Sequence, residues 1–246
     1  MQSVSQFKII GCGNSESLRH FNNNALLCCT SGNLLIDCGH TAKLALHEQG
    51  YGWADIDAVY ITHVHGDHVF GLERLAFESR FKLNTRPKLF LEPELENELW
   101  EQTLKGSLGN INGKSQVLAD YFDVQFIQDH KFSFGGHHIH SIPVDHAPDK
   151  SAFGILIDNY LFYSGDTKAI PEVVNELNFE IGFHDASVAE ISPVHAHFES
   201  LKSSYSVATC KKLYLMSYED DWRLAAKDID GTFAGLAEQG QVVTLP

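Results

Sequence analysis

Thr62-His63-Val64-His65-Gly66-Asp67-His68 places three imidazoles and a carboxylate within six residues, directly after the apolar run Val59-Tyr60-Ile61. On an extended backbone successive side chains alternate faces, so His63 and His65 can point the same way. The turn at Gly66 lets Asp67 and His68 aim at a neighbouring point. Imidazole nitrogen and carboxylate oxygen are the donors that zinc and similar borderline ions prefer, and a catalytic ion keeps one position open for water. The plain alternative is a polar loop rich in histidine, but solvated loops seldom follow a buried strand directly.

Short apolar runs bounded by turn residues surround this stretch. Gln6 to Gly11 reads as a strand running into Gly11-Cys12-Gly13-Asn14, and Ala25–Cys29 with Asn33–Asp37 as a hairpin about Thr30-Ser31-Gly32. A helix is expected from about Thr41 to Gln49, with Thr41 or Asp37 as its N-cap. Helical spacing covers Val69 to Leu83, and Pro93 stands where an acidic helix over Glu92 to Leu104 would begin. Ser107 to Ser115 reads as a loop. Val124–Gln128, Lys131–Phe134 and His137–Val144 read as a meander whose His137, His138 and His140 suit an exposed strand. Ala152–Ile157 and Tyr160–Ser164 form a hairpin about Asp158-Asn159. Beyond it come a helix over Ala169 to Leu177, a strand at Phe179–Phe183, a helix over about 199–209 and a strand at Lys212–Met216. In the tail, Trp222 to Lys227 reads as helical and Gln241 to Leu245 as an apolar segment packing back.

The HxHxDH signature resembles that of the metallo-β-lactamase superfamily, and residues further on resemble its ribonuclease Z-like branch. The resemblance spans nearly the whole chain. It implies an α+β fold, a four-layer αββα sandwich of metallo-β-lactamase type, with metals at one edge. Carried over residue by residue, it implies that His63, His65 and His146 hold a first ion, and that Asp67, His68 and Asp166 hold a second. Asp166, in Gly165-Asp166-Thr167, is placed like the family's bridging carboxylate. Asp37, in Asp37-Cys38-Gly39, is placed to support a ligand histidine. His184-Asp185-Ala186-Ser187 resembles the branch's His-Glu-Ala-Thr with a shorter acid. A histidine at the start of the next helix can serve as general acid in the family, and His195 fits that place, 22 residues before Ser217, with His197 as fallback. The catalytic set is therefore Asp67, His195, Asp185 and His184. The pattern departs at Leu215-Met216-Ser217-Tyr218, where the family has a last histidine ligand and this chain has Ser217.

Composition narrows the substrate. A chain of 246 residues with 43% hydrophobic residues suits one domain, 1–246, with a substantial core. Its formal charge of −14 opposes binding of duplex nucleic acid, which draws affinity from Lys and Arg on phosphates. The family's tRNA-gripping arm belongs between the His146 and Asp166 motifs, which here stand only 20 residues apart. No apolar stretch reaches the ~18 residues of a membrane span, and the start lacks a secretory signal, so a cytoplasmic location is expected. Five cysteines without a C-x-x-C pair argue against a disulfide framework.

The resulting expectation is a metal-dependent hydrolase, phosphodiesterase-like, acting on a cyclic nucleotide or short oligonucleotide by metal-activated hydroxide. One or two Zn2+ ions are expected, with Mn2+ or Fe open, and a homodimer is also left open. The alternatives are an ester, lactone or thioester hydrolase on the same site, or a metal-poor binding or sensor protein in which Ser217 marks lost catalysis.

Overall fold

The computed structural model describes residues 4–188, 192–222 and 226–246. Strands β1 (Gln6–Gly11), β2 (Asn24–Cys29), β3 (Gly32–Ile36), β4 (Ala58–Tyr60) and β5 (Lys88–Leu91) start the first sheet. A small hairpin, β6 (Asn110–Ile111) and β7 (Lys114–Ser115), precedes β8 (Asp123–Phe126). The second sheet takes β9 (Lys131–Phe134), β10 (His137–Val144), β11 (Ala152–Ile157), β12 (Leu161–Tyr163), β13 (Ile181–Asp185), β14 (Leu213–Met216) and β15 (Gly235–Leu236). The last strand, β16 (Val242–Thr244), returns to the first sheet beside β1.

The sheets run in the orders β16-β1-β2-β3-β4-β5-β8 and β15-β14-β13-β12-β11-β10-β9. Each joins an antiparallel half to a parallel half, the change falling at β3 in one and β12 in the other. Both faces of β11 are covered, which explains the unbroken apolar run Ala-Phe-Gly-Ile-Leu-Ile. The core lies between the sheets. Phe7 of β1 meets Tyr163 and Phe183 of the second sheet with ring centroids 5.8 and 5.9 Å apart. Tyr60 Oη and Ser141 Oγ, 2.8 Å apart, close a buried hydrogen bond between the same layers.

Helices cover the outer faces: α1 (Ala42–Glu48), α2 (Gly66–Val69), α3 (Leu72–Glu78) and α4 (Lys105–Leu108) by the first sheet's crossovers, then α5 (Pro171–Val174), α6 (Phe198–Ser204), α7 (Val207–Cys210) and α8 (Ala226–Ile229) in the second half. Several are shorter than periodicity implies. The expected helix over Val69–Leu83 divides into the end of α2, α3 and a π-helical turn at Ser79–Leu83. The acidic segment 92–104 is a 3-10 turn followed by a π-helical stretch, Glu98–Leu104, and its Glu98 pairs with Lys150. The expected helices over 169–177 and 199–209 shrink to α5 and to α6 with α7, and the loop 107–115 contains β6 and β7. The helical reading of Trp222 to Lys227 falls partly outside the described residues.

The meander reading needs one correction. β8 lies parallel to β5 in the first sheet, with Lys88 opposite Asp123, while β9 and β10 open the second. Apolar alternation looks the same in either sheet, and only long-range pairing distinguishes them. Among the described residues no helix is long and apolar enough to cross a membrane.

The topology gathers the chemistry. The carboxyl ends of β3, β4, β12, β13 and β14, with the end of β10, deliver Asp37, His63, Asp166, Asp185, Ser217 and His146 to one edge. Open sheets with parallel strands place their binding crevice outside those ends.

Candidate metal centre

The turn after β3 supports the site. Asp37 adopts φ +61°, a left-handed conformation that Asp tolerates better than most residues, and is fully buried. Its Oδ1 accepts from the Thr62 amide at 2.8 Å, and its Oδ2 accepts from Thr62 Oγ1 at 2.8 Å and His68 Nδ1 at 2.7 Å. Asp37 therefore orients the His68 ring and does not cap α1, whose N-cap Thr41 makes no capping bond with its side chain. The turn approaches the histidine loop closely at Gly39, where a Cβ would lie 1.7 Å from the Asp67 carbonyl oxygen. No larger residue fits that contact.

Three imidazoles have their Nδ1 side occupied. His63 Nδ1 lies 3.1 Å from Thr62 Oγ1, whose own hydrogen goes to Asp37; His146 Nδ1 donates to the Val194 carbonyl at 2.8 Å; and His68 Nδ1 donates to Asp37. This network assigns a lone pair to Nε2 of His63 and of His146. His68 differs: against burial, which lowers it, the carboxylates of Asp166, Asp37 and Asp67 hold its pKa well above the ordinary value, and its Nε2 donates to Asp166 Oδ2 at 3.2 Å. His65 Nδ1 lies 3.0 Å from His63 Nε2 and 3.1 Å from His146 Nε2. A single hydrogen on His65 satisfies only one of these contacts, so lone pairs face each other unless a cation lies among them. Tetrahedral ligands at ~2.0–2.1 Å from zinc stand about 3.3–3.4 Å apart, close to the spacing here. The donor set fits the metal that the fold implies. Burial, reinforced by neighbouring imidazoles, holds His63 well below its ordinary pKa, and burial also lowers His65 and His146, so all three favour the neutral form that ligates.

A second position adjoins the first. His68 Nε2 lies 3.2 Å from Asp166 Oδ2 and 3.4 Å from Asp67 Oδ2, and Asp166 Oδ2 is 4.0 Å from His63 Nε2. His63, His68 and Asp166 form one group of ion-holding size, and His146, Asp166 and His195 another. Asp67 stands at the rim of this second position, next to His68. Ser217 occupies the place of the absent histidine with φ +62°, and its Oγ donates to Asp166 Oδ1 at 3.3 Å.

Beside the centre, His195 Nδ1 lies 2.7 Å from Asp185 Oδ2 and 3.9 Å from Asp166 Oδ2. The same Asp185 oxygen accepts from the Thr167 amide at 2.8 Å. Burial drives the Asp185 carboxyl up to about 7 against the pull of His195. Burial of the imidazole is outweighed by the fields of Asp185 and Asp166, which raise His195 to about 9. One proton is thus held across this pair near neutral pH.

His184 does not join them. Expected behind His195, its ring instead donates from Nδ1 to the Asp185 carbonyl at 2.8 Å, and its Nε2 lies 2.7 Å from Tyr205 Oη. Neighbouring residues of β13 face opposite sides of the sheet, so Asp185 reaches the site and His184 the layer outside it. The fallback His197 is the N-cap of α6, accepting from the Glu199 amide at 3.3 Å. His137 pairs with Asp158 at 2.5 Å, and neither it, His138 nor His140 joins an ion-sized group among the described residues.

Sequence reading missed three supports. Thr62 was legible only as the residue before the motif. The Val194 carbonyl carries no sequence signal. Lys150, bonded to Glu98 and to the Val64 carbonyl, contributes to lowering the His65 pKa.

The profile of a family described as "Anti-Pycsar protein Apyc1" matches residues 5–243. A relative bearing that name from Paenibacillus xerothermodurans is 36% identical over 226 residues, covering 88% of both chains. The metallo-β-lactamase fold protein YhfI from Bacillus subtilis superposes with a TM-score of 0.77 at 17% identity, covering 98% of this chain and 100% of the other. The short form of human tRNase Z gives 0.67 at 17% identity, with 98% and 99% covered. The fold is the metallo-β-lactamase fold.

Proposed function

This chain belongs to the Anti-Pycsar protein Apyc1 family, and from that premise we propose that it is a metal-dependent hydrolase of a small phosphodiester, a cyclic nucleotide first among them. The observation that carries the reading is the His195–Asp185 pair, 2.7 Å across, set beside three imidazole nitrogens that converge within 3.0 to 3.1 Å. Alkoxide leaving groups need a proton as their bond to phosphorus breaks, whereas many activated esters do not.

His63, His65 and His146 would hold one ion, and His68, Asp166 and Asp67 a second, with Asp166 shared. When bound, such ions lower the pKa of water and neutralise charge developing on a phosphoryl group. The side chains do the rest. Asp37 and Val194 fix the imidazoles in one tautomer, and Asp166 links His68 to the donor pair. In the reaction the water oxygen forms a new bond to phosphorus, the bond to the leaving oxygen breaks, and His195 passes its proton to that oxygen. Asp185 stabilises the charged imidazole before transfer and keeps its ring aligned.

Two further features favour a small substrate. The 20 residues from His146 to Asp166 consist largely of the tight β11–β12 hairpin, whose Asp158 and Asn159 both take φ +52°. A cleft of about 550 Å³ beside His195 is lined by Glu16, Glu219, Asp220 and Asp221, and its lining holds no Lys or Arg among the described residues, a charge balance that opposes additional phosphates. Its volume suits a ligand of nucleotide size.

The test is product analysis. Incubation of the ion-loaded protein with a 3′,5′-cyclic mononucleotide in 18O-labelled water, followed by phosphorus NMR, should give a monoester carrying one labelled oxygen. Recovery of unreacted substrate under every divalent ion tried would overturn the proposal.

A further inference from the structure

Among the described residues the cleft beside His195 has walls from four stretches: 14–17 after β1, Ser187 after β13, 192–195 before α6 and 217–221 after β14. The first is a loop distant in sequence from the others, and one carboxylate ties it down. Asp220 Oδ1 accepts from Ser17 Oγ at 2.5 Å and from the Arg19 amide at 3.0 Å, while Oδ2 accepts from the Leu18 amide at 3.0 Å. These bonds span 201 to 203 residues of sequence. The Ser17 hydroxyl and the two amides hold the Asp220 carboxyl below its ordinary pKa, as expected of an ionised acceptor.

Other contacts converge on the same junction. The Asn14 amide donates to the Tyr218 carbonyl at 3.2 Å, and Trp222 Nε1 donates to His20 Nε2 at 3.2 Å. The loop folds back onto Gly13, where a Cβ would stand 2.7 Å from His20 Cβ and 2.9 Å from Ser17 Cβ. Loop 14–19 therefore lies where it does through partners next to Ser217, the residue that touches Asp166.

We propose that Asp220 is a positioning residue that clamps loop 14–19 as one wall of the cleft receiving the non-phosphate part of the substrate, an assignment that rests on the function proposed above. It touches no reacting atom. Its effect falls on binding that is equal in ground and transition states, which changes KM and leaves kcat.

Asp220→Ala and Asp220→Asn separate the possibilities, measured with a cyclic mononucleotide, by metal content and by amide hydrogen exchange at Leu18 and Arg19. In Asp220→Ala the two amides should exchange about tenfold faster or more, and KM should rise ~10-fold. kcat should stay within about twofold, with metal content unchanged. Asp220→Asn keeps one acceptor oxygen and should fall between. Unchanged exchange would overturn the clamp, and faster exchange with unchanged KM would show that the loop is no part of the substrate site. A fall in kcat at constant KM would place Asp220 in the chemistry and overturn the positioning role. Absence of turnover in the unaltered protein would defeat the proposed function and the substrate wall with it, while exchange would still decide the clamp.

Discussion

Ser217 Oγ donates to Asp166 Oδ1 at 3.3 Å, so the residue standing where the sequence resemblance implies a last histidine touches the carboxylate common to two ion-sized groups. A hydroxyl there supplies a hydrogen bond to Asp166 and leaves the second position with one fewer strong donor. Ser217→His should raise second-ion affinity, because histidine tolerates the φ of +62° better than most side chains. Metal titration by calorimetry reads this directly, and unchanged stoichiometry and affinity in a folded variant would count against the assignment.

Asp37→Asn is expected to weaken the same position from behind. The amide keeps the left-handed backbone but offers His68 Nδ1 a poorer acceptor, so its tautomer is less well fixed. Supporting partners of this kind change metal affinity about 10–100-fold. Competition against a chelator measures the loss, which should fall on the second ion more than on the first.

His195→Ala should slow alkyl phosphodiesters by ~10²–10⁴-fold while largely sparing nitrophenyl phosphodiesters, whose leaving groups are stable without a proton. Both ions should stay bound. Equal slowing on both substrates would remove the acid role. Loss of an ion would instead make His195 a ligand, for which its place with His146 and Asp166 in an ion-sized group provides the geometry.

Stability should depend on pH through His184. Burial lowers its pKa to about 4 in the folded chain, against about 6.5 for an exposed imidazole. The unfolded chain therefore takes up the proton first as pH falls, so the stability this buried neutral ring contributes is complete above about 6.5 and lost progressively towards 4. Between pH 7 and 5 the loss is about 2 kcal/mol. Urea unfolding at the two pH values should show a loss in His184→Gln that is smaller than in the unaltered protein by about this amount.

That the side chains of the candidate site gather at one edge was legible because each stands directly after an apolar run, where a strand end must lie. Asp37 could be read for the same reason. What escaped depended on pairing over long distances. β8 alternates no differently in the first sheet than it would in the second, and only its register against β5 decides. His184 and Asp185 are adjacent in sequence yet face opposite layers, a matter of strand parity. The bonds of Asp220 to loop 14–19 cross most of the chain and leave no local mark.

The central claim is tested most directly by the specificity of the ion-loaded protein. kcat/KM should be measured for a 3′,5′-cyclic mononucleotide and for carboxylic ester, lactone and thioester substrates, after stripping metal and restoring Zn2+, Mn2+ or Fe2+. The account predicts cyclic-nucleotide turnover that disappears with the metal and returns with it, exceeding turnover of every carbonyl substrate. Carbonyl-substrate turnover with no cleavage of the cyclic nucleotide would contradict it.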